Sequence, residues 1–111
     1  MPYIHIQTNR PIDKKQRETL TAALGKAVTV LGKSESWLML RFEGDCDMAF
    51  RGRSDEPTAF VGVSLYGQGR SLERFTGEVC RCLEEHLGID PGNTYVRYVC
   101  TPDWGWNGSN F

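Results

Sequence analysis

A strand, a long amphipathic helix and a second strand follow one another twice along this chain, and no other feature restricts its fold as strongly. Residues 3–9, YIHIQTN, alternate apolar and polar with Ile4 and Ile6 on one face, the period-two mark of a strand. Asp13 stands three residues before Gln16, the spacing of a capping box, and opens a helix. Its apolar stripe is Leu20, Ala23, Leu24, Ala27, Val28 and Leu31, with Gly32 as the stop. WLMLRF, residues 37–42, reads as the returning strand. The second half repeats the order. TAFVGVSLYG (58–67) is a strand, with Gly62 marking a bulge or a close approach. Ser71 caps a helix with the stripe Leu72, Phe75, Val79, Leu83 and Leu87, which ends at Gly88. Gly77 inside that helix costs about 1 kcal/mol against alanine, so close packing is expected there. TYVRYVC (94–100) is the fourth strand.

A strand and its return across one helix are parallel neighbours joined by a right-handed crossover. Two such units in 111 residues predict one α+β domain over 1–111: a four-stranded mixed sheet with both helices on one face. Tyr3, His5, Val63, Leu65 and Tyr95 are expected to leave the other face too apolar to stay wet, so further subunits are expected to cover it. The loop 43–57 and the tail 101–111 read as irregular.

The net charge of −1 gives no electrostatic footprint for nucleic acid. The strand–helix–strand order is shared with RNA-recognition modules, but Glu56, Pro57 and Thr58 stand where their basic, glycine and aromatic signature belongs. No apolar run approaches the ~20 residues of a membrane helix, and no secretory signal pattern is visible. Cys46, Cys80, Cys82 and Cys100 form no C-x-x-C pair and no zinc-type spacing, so they read as reduced thiols of a reducing, cytoplasmic compartment.

Two residues carry the chemical expectation. Removal of Met1 would make Pro2 a secondary amine, and burial or a nearby cation would lower its pKa toward that of a general base. Position two alone says little. Lys33 follows the glycine that ends the first helix, and a cation there suits the helix dipole without any further role. Helix and strand run in opposite directions, however, so the end of the first helix returns to the start of the first strand, and Lys33 and Pro2 must be neighbours. The tail DWGWNGSNF concentrates Trp104, Trp106 and Phe111, which either dock on a neighbouring surface or wall a pocket for a flat ligand. Trp37 and Tyr95 start the second and fourth strands and either close the same wall or pack the sheet. His5 and His86 are read as structural.

The ordered set MPYI with Thr8-Asn9, GK at 32–33, MAF at 48–50, SDEP at 54–57, G-x-D-P at 88–91, YVRY at 95–98 and GWNGSNF at 105–111 resembles the macrophage migration inhibitory factor and D-dopachrome tautomerase group of the tautomerase superfamily, nearly end to end. The resemblance implies a homotrimer whose sheets wrap into a barrel, and cofactor-free tautomerisation of phenylpyruvate-type and dopachrome-type substrates. It implies Pro2 as the catalytic amine, Lys33 as the carboxylate anchor, and a substrate-facing backbone N–H at Tyr66, beside Leu65. Trp37, Trp104, Trp106 and Phe111 would line the pocket, with Tyr95 and Arg97 joining it, Tyr95 from an adjacent subunit. Three departures stand out. Arg97 replaces an asparagine of the vertebrate cytokine and adds a cation, which either strengthens carboxylate binding, lowers the Pro2 pKa or blocks the pocket. Thr58 and Val61 replace the cysteines of that cytokine's C-x-x-C, so no thiol–disulfide activity carries over. Trp104 is bulkier than the family's residue. Two alternatives accompany the tautomerase reading: a signalling ligand with a vestigial pocket, exported without a leader to a cell-surface receptor, and a proline-dependent hydratase or dehalogenase using Arg97.

Overall fold

The computed structural model describes residues 1–111. Strand β1 (Pro2–Thr8) lies inside a four-stranded sheet of order β2-β1-β3-β4, with β2 at Met39–Glu43, β3 at Ala59–Tyr66 and β4 at Thr94–Thr101. β1 is parallel to β2 and antiparallel to β3, and β3 is parallel to β4. Helices α1 (Lys14–Ala27) and α2 (Leu72–Leu87) pack side by side on one face. The expected α+β architecture, two β-α-β units with both helices on one side, is the observed one. No helix is long and apolar enough to cross a membrane.

The core lies between sheet and helices. Ile4, Ile6, Val61, Val63 and Leu65 from the strands meet Leu20, Leu24, Phe75, Val79 and Leu83 from the helices, all buried. Val63 and Leu65 thus face the helices, against the expectation that they would lie on the open face. Both faces of β3 carry apolar residues, and the helices took the uniformly aliphatic set; Phe60, Gly62, Ser64 and Tyr66 look the other way. The open face is therefore more polar than expected. Across the strands it reads Met39, Tyr3, Ser64 and Val99, then Arg41, His5, Gly62 and Arg97, then Glu43, Gln7, Phe60 and Tyr95. His5 Nε2 lies 2.7 Å from Glu43 Oε1.

Local signals were obeyed to different degrees. Asp13 and Gln16 form the full capping box. The first helix keeps α geometry only to Ala27, then tightens into a 3-10 turn at Val28–Leu31, which Gly32 ends in the left-handed region at φ +76°. β-branched Val28, Thr29 and Val30 crowd the last turn and weaken its hold on α geometry. Trp37 ends a separate 3-10 turn, Glu35–Trp37, rather than starting β2. Ser71 sits at the start of α2 but in the left-handed region at φ +52°, and its side chain caps nothing; only its carbonyl serves, accepting from the Phe75 N–H at 3.0 Å. Gly77 is exposed with nothing near it, so close packing does not explain it. Gly62 forms no bulge; the neighbour it admits is a side chain, Arg97, whose Nη2 would stand 3.5 Å from a Cβ there. The tail is not irregular: β5 (Gly105–Trp106) and β6 (Ser109–Asn110) pair through Asn107-Gly108, both at positive φ, the two-residue hairpin turn that Asn-Gly favours. All four cysteines are free.

Candidate active site

One end of the sheet gathers the chemistry. Because β1 and β2 start there while β3 and β4 finish there, Met1-Pro2, Trp37, Tyr66 and Thr101 share an edge, and the 3-10 turn after α1 delivers Lys33 to it. Pro2 is buried and pairs with Leu65 in the ladder. The Met1 carbonyl accepts a hydrogen bond from the Tyr66 N–H at 3.1 Å. Lys33 Nζ donates to the Tyr66 carbonyl at 2.8 Å. One residue of β3 thus holds both the bond that precedes Pro2 and the lysine.

The electrostatics follow from that placement. Partial burial, and then the charge of Lys33, hold the amino group of Met1 below the usual range of a chain-terminal amine. Topology predicts Lys33 and Pro2 as neighbours, and the fold brings both to the same end of the sheet, with Trp37 beside Pro2 in the cleft.

Aromatic rings build the wall. Trp37 and Trp106 meet edge to face, with centroids 4.9 Å apart and planes at 88°. Trp106 lies nearly parallel to Phe111 at 6.4 Å, and Phe111 reaches Tyr66 at 5.2 Å. A cleft of about 360 Å³ opens between this wall and the strand end, lined by Met1, Pro2, Trp37, Met39, Trp104 and Trp106. Of the tail aromatics, Trp104 and Trp106 line the cleft, while Phe111 packs on Tyr66 and Trp106 behind it.

Not every expected residue reaches the cleft. Leu65 is wholly buried in the core; only its backbone neighbours the site. Tyr95 sits at the opposite end of the sheet, edge to face with Phe50 at 5.0 Å. Arg97 lies on the open face with its guanidinium over the Phe60 ring at 5.2 Å. Neither meets Pro2 within one chain. Burial pushes the thiols of Cys80 and Cys82 up, which makes them poor nucleophiles. No group of three or more His, Cys, Asp or Glu side chains is placed to hold a metal ion.

Sequence reading missed two participants. The Met1 carbonyl has no side-chain signature. The tail hairpin did have one, the Asn107-Gly108 dipeptide, and it is this turn that brings Trp106 and Phe111 back onto Trp37 and Tyr66.

A family model described as macrophage migration inhibitory factor (MIF) matches residues 1–111. The chain belongs to the MIF family. Among curated MIF-family relatives, the macrophage migration inhibitory factor homolog of Trichuris trichiura is 30% identical over the full length of both chains. Among solved structures, Leishmania major MIF2 superposes with a TM-score of 0.94 at 30% identity, over 100% of this chain and 97% of the other. The MIF homologue of Prochlorococcus marinus gives 0.88 at 31%, over 98% of each. The fold is thus the tautomerase-type fold of the MIF family, as the sequence motifs implied.

Proposed function

We propose that this chain is a cofactor-independent keto–enol tautomerase for phenylpyruvate-type acids, with dopachrome-type acids as related substrates, and that it works once Met1 has been removed. The observation that carries this reading is the Met1 carbonyl on the Tyr66 N–H, beside Lys33. Taking Met1 away frees a backbone donor, opens space in the cleft and converts the Pro2 nitrogen from an amide to an amine, all at one place. The partial burial and cation that lower the Met1 amine would act on the Pro2 amine in the same sense and favour its neutral, proton-accepting form.

The reaction is a 1,3-proton shift. Neutral Pro2 removes the proton from the carbon α to the keto group, and the electron pair moves onto the carbonyl oxygen. The enolate is held by backbone donors, with Lys33 on the carboxylate. Pro2, now an ammonium, returns the proton to that oxygen, and nothing else is consumed. The ring of the substrate lies against Trp37, Trp106 and Phe111.

The assembly in this reading is a homotrimer in which neighbouring copies cover the open sheet face and bring Tyr95 and Arg97 to the cleft. What supports it is the exposure of Met39, Val99 and Tyr95 on that face, where 65%, 46% and 59% of each residue stays accessible in the single chain. Pro2→Gly is expected to lower phenylpyruvate turnover by on the order of a hundredfold or more, the scale of losing a general base. Intact mass of the purified protein must show loss of Met1 in the active form. A processed, folded trimer with unchanged turnover after Pro2→Gly overturns the mechanism; a processed wild-type trimer with no turnover at all moves the reading to a signalling ligand.

A further inference from the structure

Two opposite charges at the open sheet face have no partner within the chain. Of the charges that the strand register puts on that face, His5 and Arg41 both lie against Glu43, at 2.7 and 3.8 Å. Arg97 is left over. It is exposed and enters no ion pair, and its guanidinium rests over the Phe60 ring at 5.2 Å. The second charge is Asp103, just beyond the end of β4. Its backbone N–H donates to Thr101 Oγ1 at 3.1 Å, and its exposed carboxylate enters no ion pair. Asp103 is the one charged residue lining an open depression of about 540 Å³, whose apolar lining is Tyr3, Met39, Val99 and Trp104. Tyr3, Met39 and Trp104 also line the cleft at Pro2, so depression and cleft adjoin.

The two charges cannot meet in one chain. Arg97 lies beside Gly62 in mid-strand, while Asp103 follows the end of β4, up to about 20 Å further along at the rise of a strand. One place on the molecule therefore presents a cation next to exposed Tyr95, and another presents an acid beside an apolar hollow. Two unlike patches that complement each other are satisfied by a head-to-tail contact, in which every copy gives one and takes one; such a contact closes into a ring. We infer that Asp103 is the docking acid of this assembly and receives Arg97 of the neighbouring copy. Arginine meets a carboxylate through two parallel hydrogen bonds, which fixes the register of the copies as well as their attraction. The inference rests on the homotrimer proposed above and narrows the role of Arg97. An arginine neutralised by Asp103 holds the copies together at the edge of the cleft and is not free to anchor a ligand carboxylate or to act on the Pro2 amine. The competing account leaves Arg97 free for the ligand; it predicts unaltered assembly and a raised KM when the charge is removed.

Sedimentation equilibrium of the full-length, Met1-processed protein at low salt separates the two. Arg97→Glu or Asp103→Arg alone should raise the concentration at which the trimer dissociates by about tenfold or more, the scale of a close charge pair across an interface. The two reversals in one chain restore the pair with opposite sign, and dissociation should return to within about threefold of wild type. Arg97→Gln and Asp103→Asn shed charge at constant size, should shift dissociation in the same direction, and serve if a reversal variant misfolds by circular dichroism. Single variants that assemble as wild type does overturn the inference, whether or not KM for phenylpyruvate rises; so does a double reversal no tighter than the weaker single. A wild-type chain that stays monomeric overturns the assembly reading and the inference together. Absence of turnover with the rescue pattern intact sinks the tautomerase reading and leaves the Arg97–Asp103 contact standing.

Discussion

A pH profile reads most directly the residue on which the proposed chemistry depends. The ordinary value for a chain-terminal amine is about 8; partial burial first and Lys33 second pull the Met1 amine below it, and both causes would act in the same sense on a Pro2 amine freed by removal of Met1. In the proposed mechanism the neutral amine is the active form, so kcat/KM should rise with pH through a midpoint below that of a solvent-exposed N-terminal proline and level off above it. Lys33→Ala removes the smaller cause: the midpoint should move up without recovering the whole depression. KM for phenylpyruvate should rise about tenfold, the scale of one hydrogen bond to a charged group. A midpoint that stays put in Lys33→Ala would show that the lysine does not face the amine. A second residue cluster concerns stability alone. Thr8, Thr58 and Asn93 are the buried polar residues of the chain, and they satisfy one another's backbones: Thr8 Oγ1 donates to the Thr58 carbonyl and Thr58 Oγ1 to the Asn93 carbonyl, both at 2.7 Å. Thr58→Val keeps the shape and orphans a buried carbonyl, so urea unfolding should show a loss of about 1–3 kcal/mol. The site lies at the other end of β3, and turnover of the folded fraction should be unaffected.

Among the elements, α2 offers the simplest test. Gly77 lies in its interior, exposed, with open space where a Cβ would go. Gly77→Ala should therefore stabilise the chain by about 1 kcal/mol, seen as a higher urea midpoint at unchanged slope; a loss would mean that something outside the chain packs there. The elements are also where the sequence was most readable. The capping box at Asp13, the helix-ending glycines and the buried alternation of β1 each rest on contacts within a few residues, and local sequence encodes those well. Failures came where a distant partner decided the outcome. Val63 and Leu65 could have faced either way until the helices chose, and Ser71 lost its capping role when residues 67–70 turned back toward Leu31. Pro2 and Lys33 were legible as neighbours because crossover handedness and strand direction place them together.

At the scale of the molecule, the single chain is incomplete as a catalyst in the proposed reading. Tyr95 and Arg97 stand away from Pro2 in the chain itself, so only a neighbouring copy can supply them. Sedimentation equilibrium should report a trimer, and dilution into monomers should abolish turnover before the circular dichroism of the fold changes. Activity that persists in the monomer would remove Tyr95 and Arg97 from the site. Met1 and Phe111 have a further bearing on handling. The first residue lines the cleft and the last packs on Tyr66 and Trp106, so both ends of the chain converge on the same few cubic nanometres. An affinity tag or fluorescent fusion at either terminus would then sit in the entrance and yield a well-folded but inert preparation.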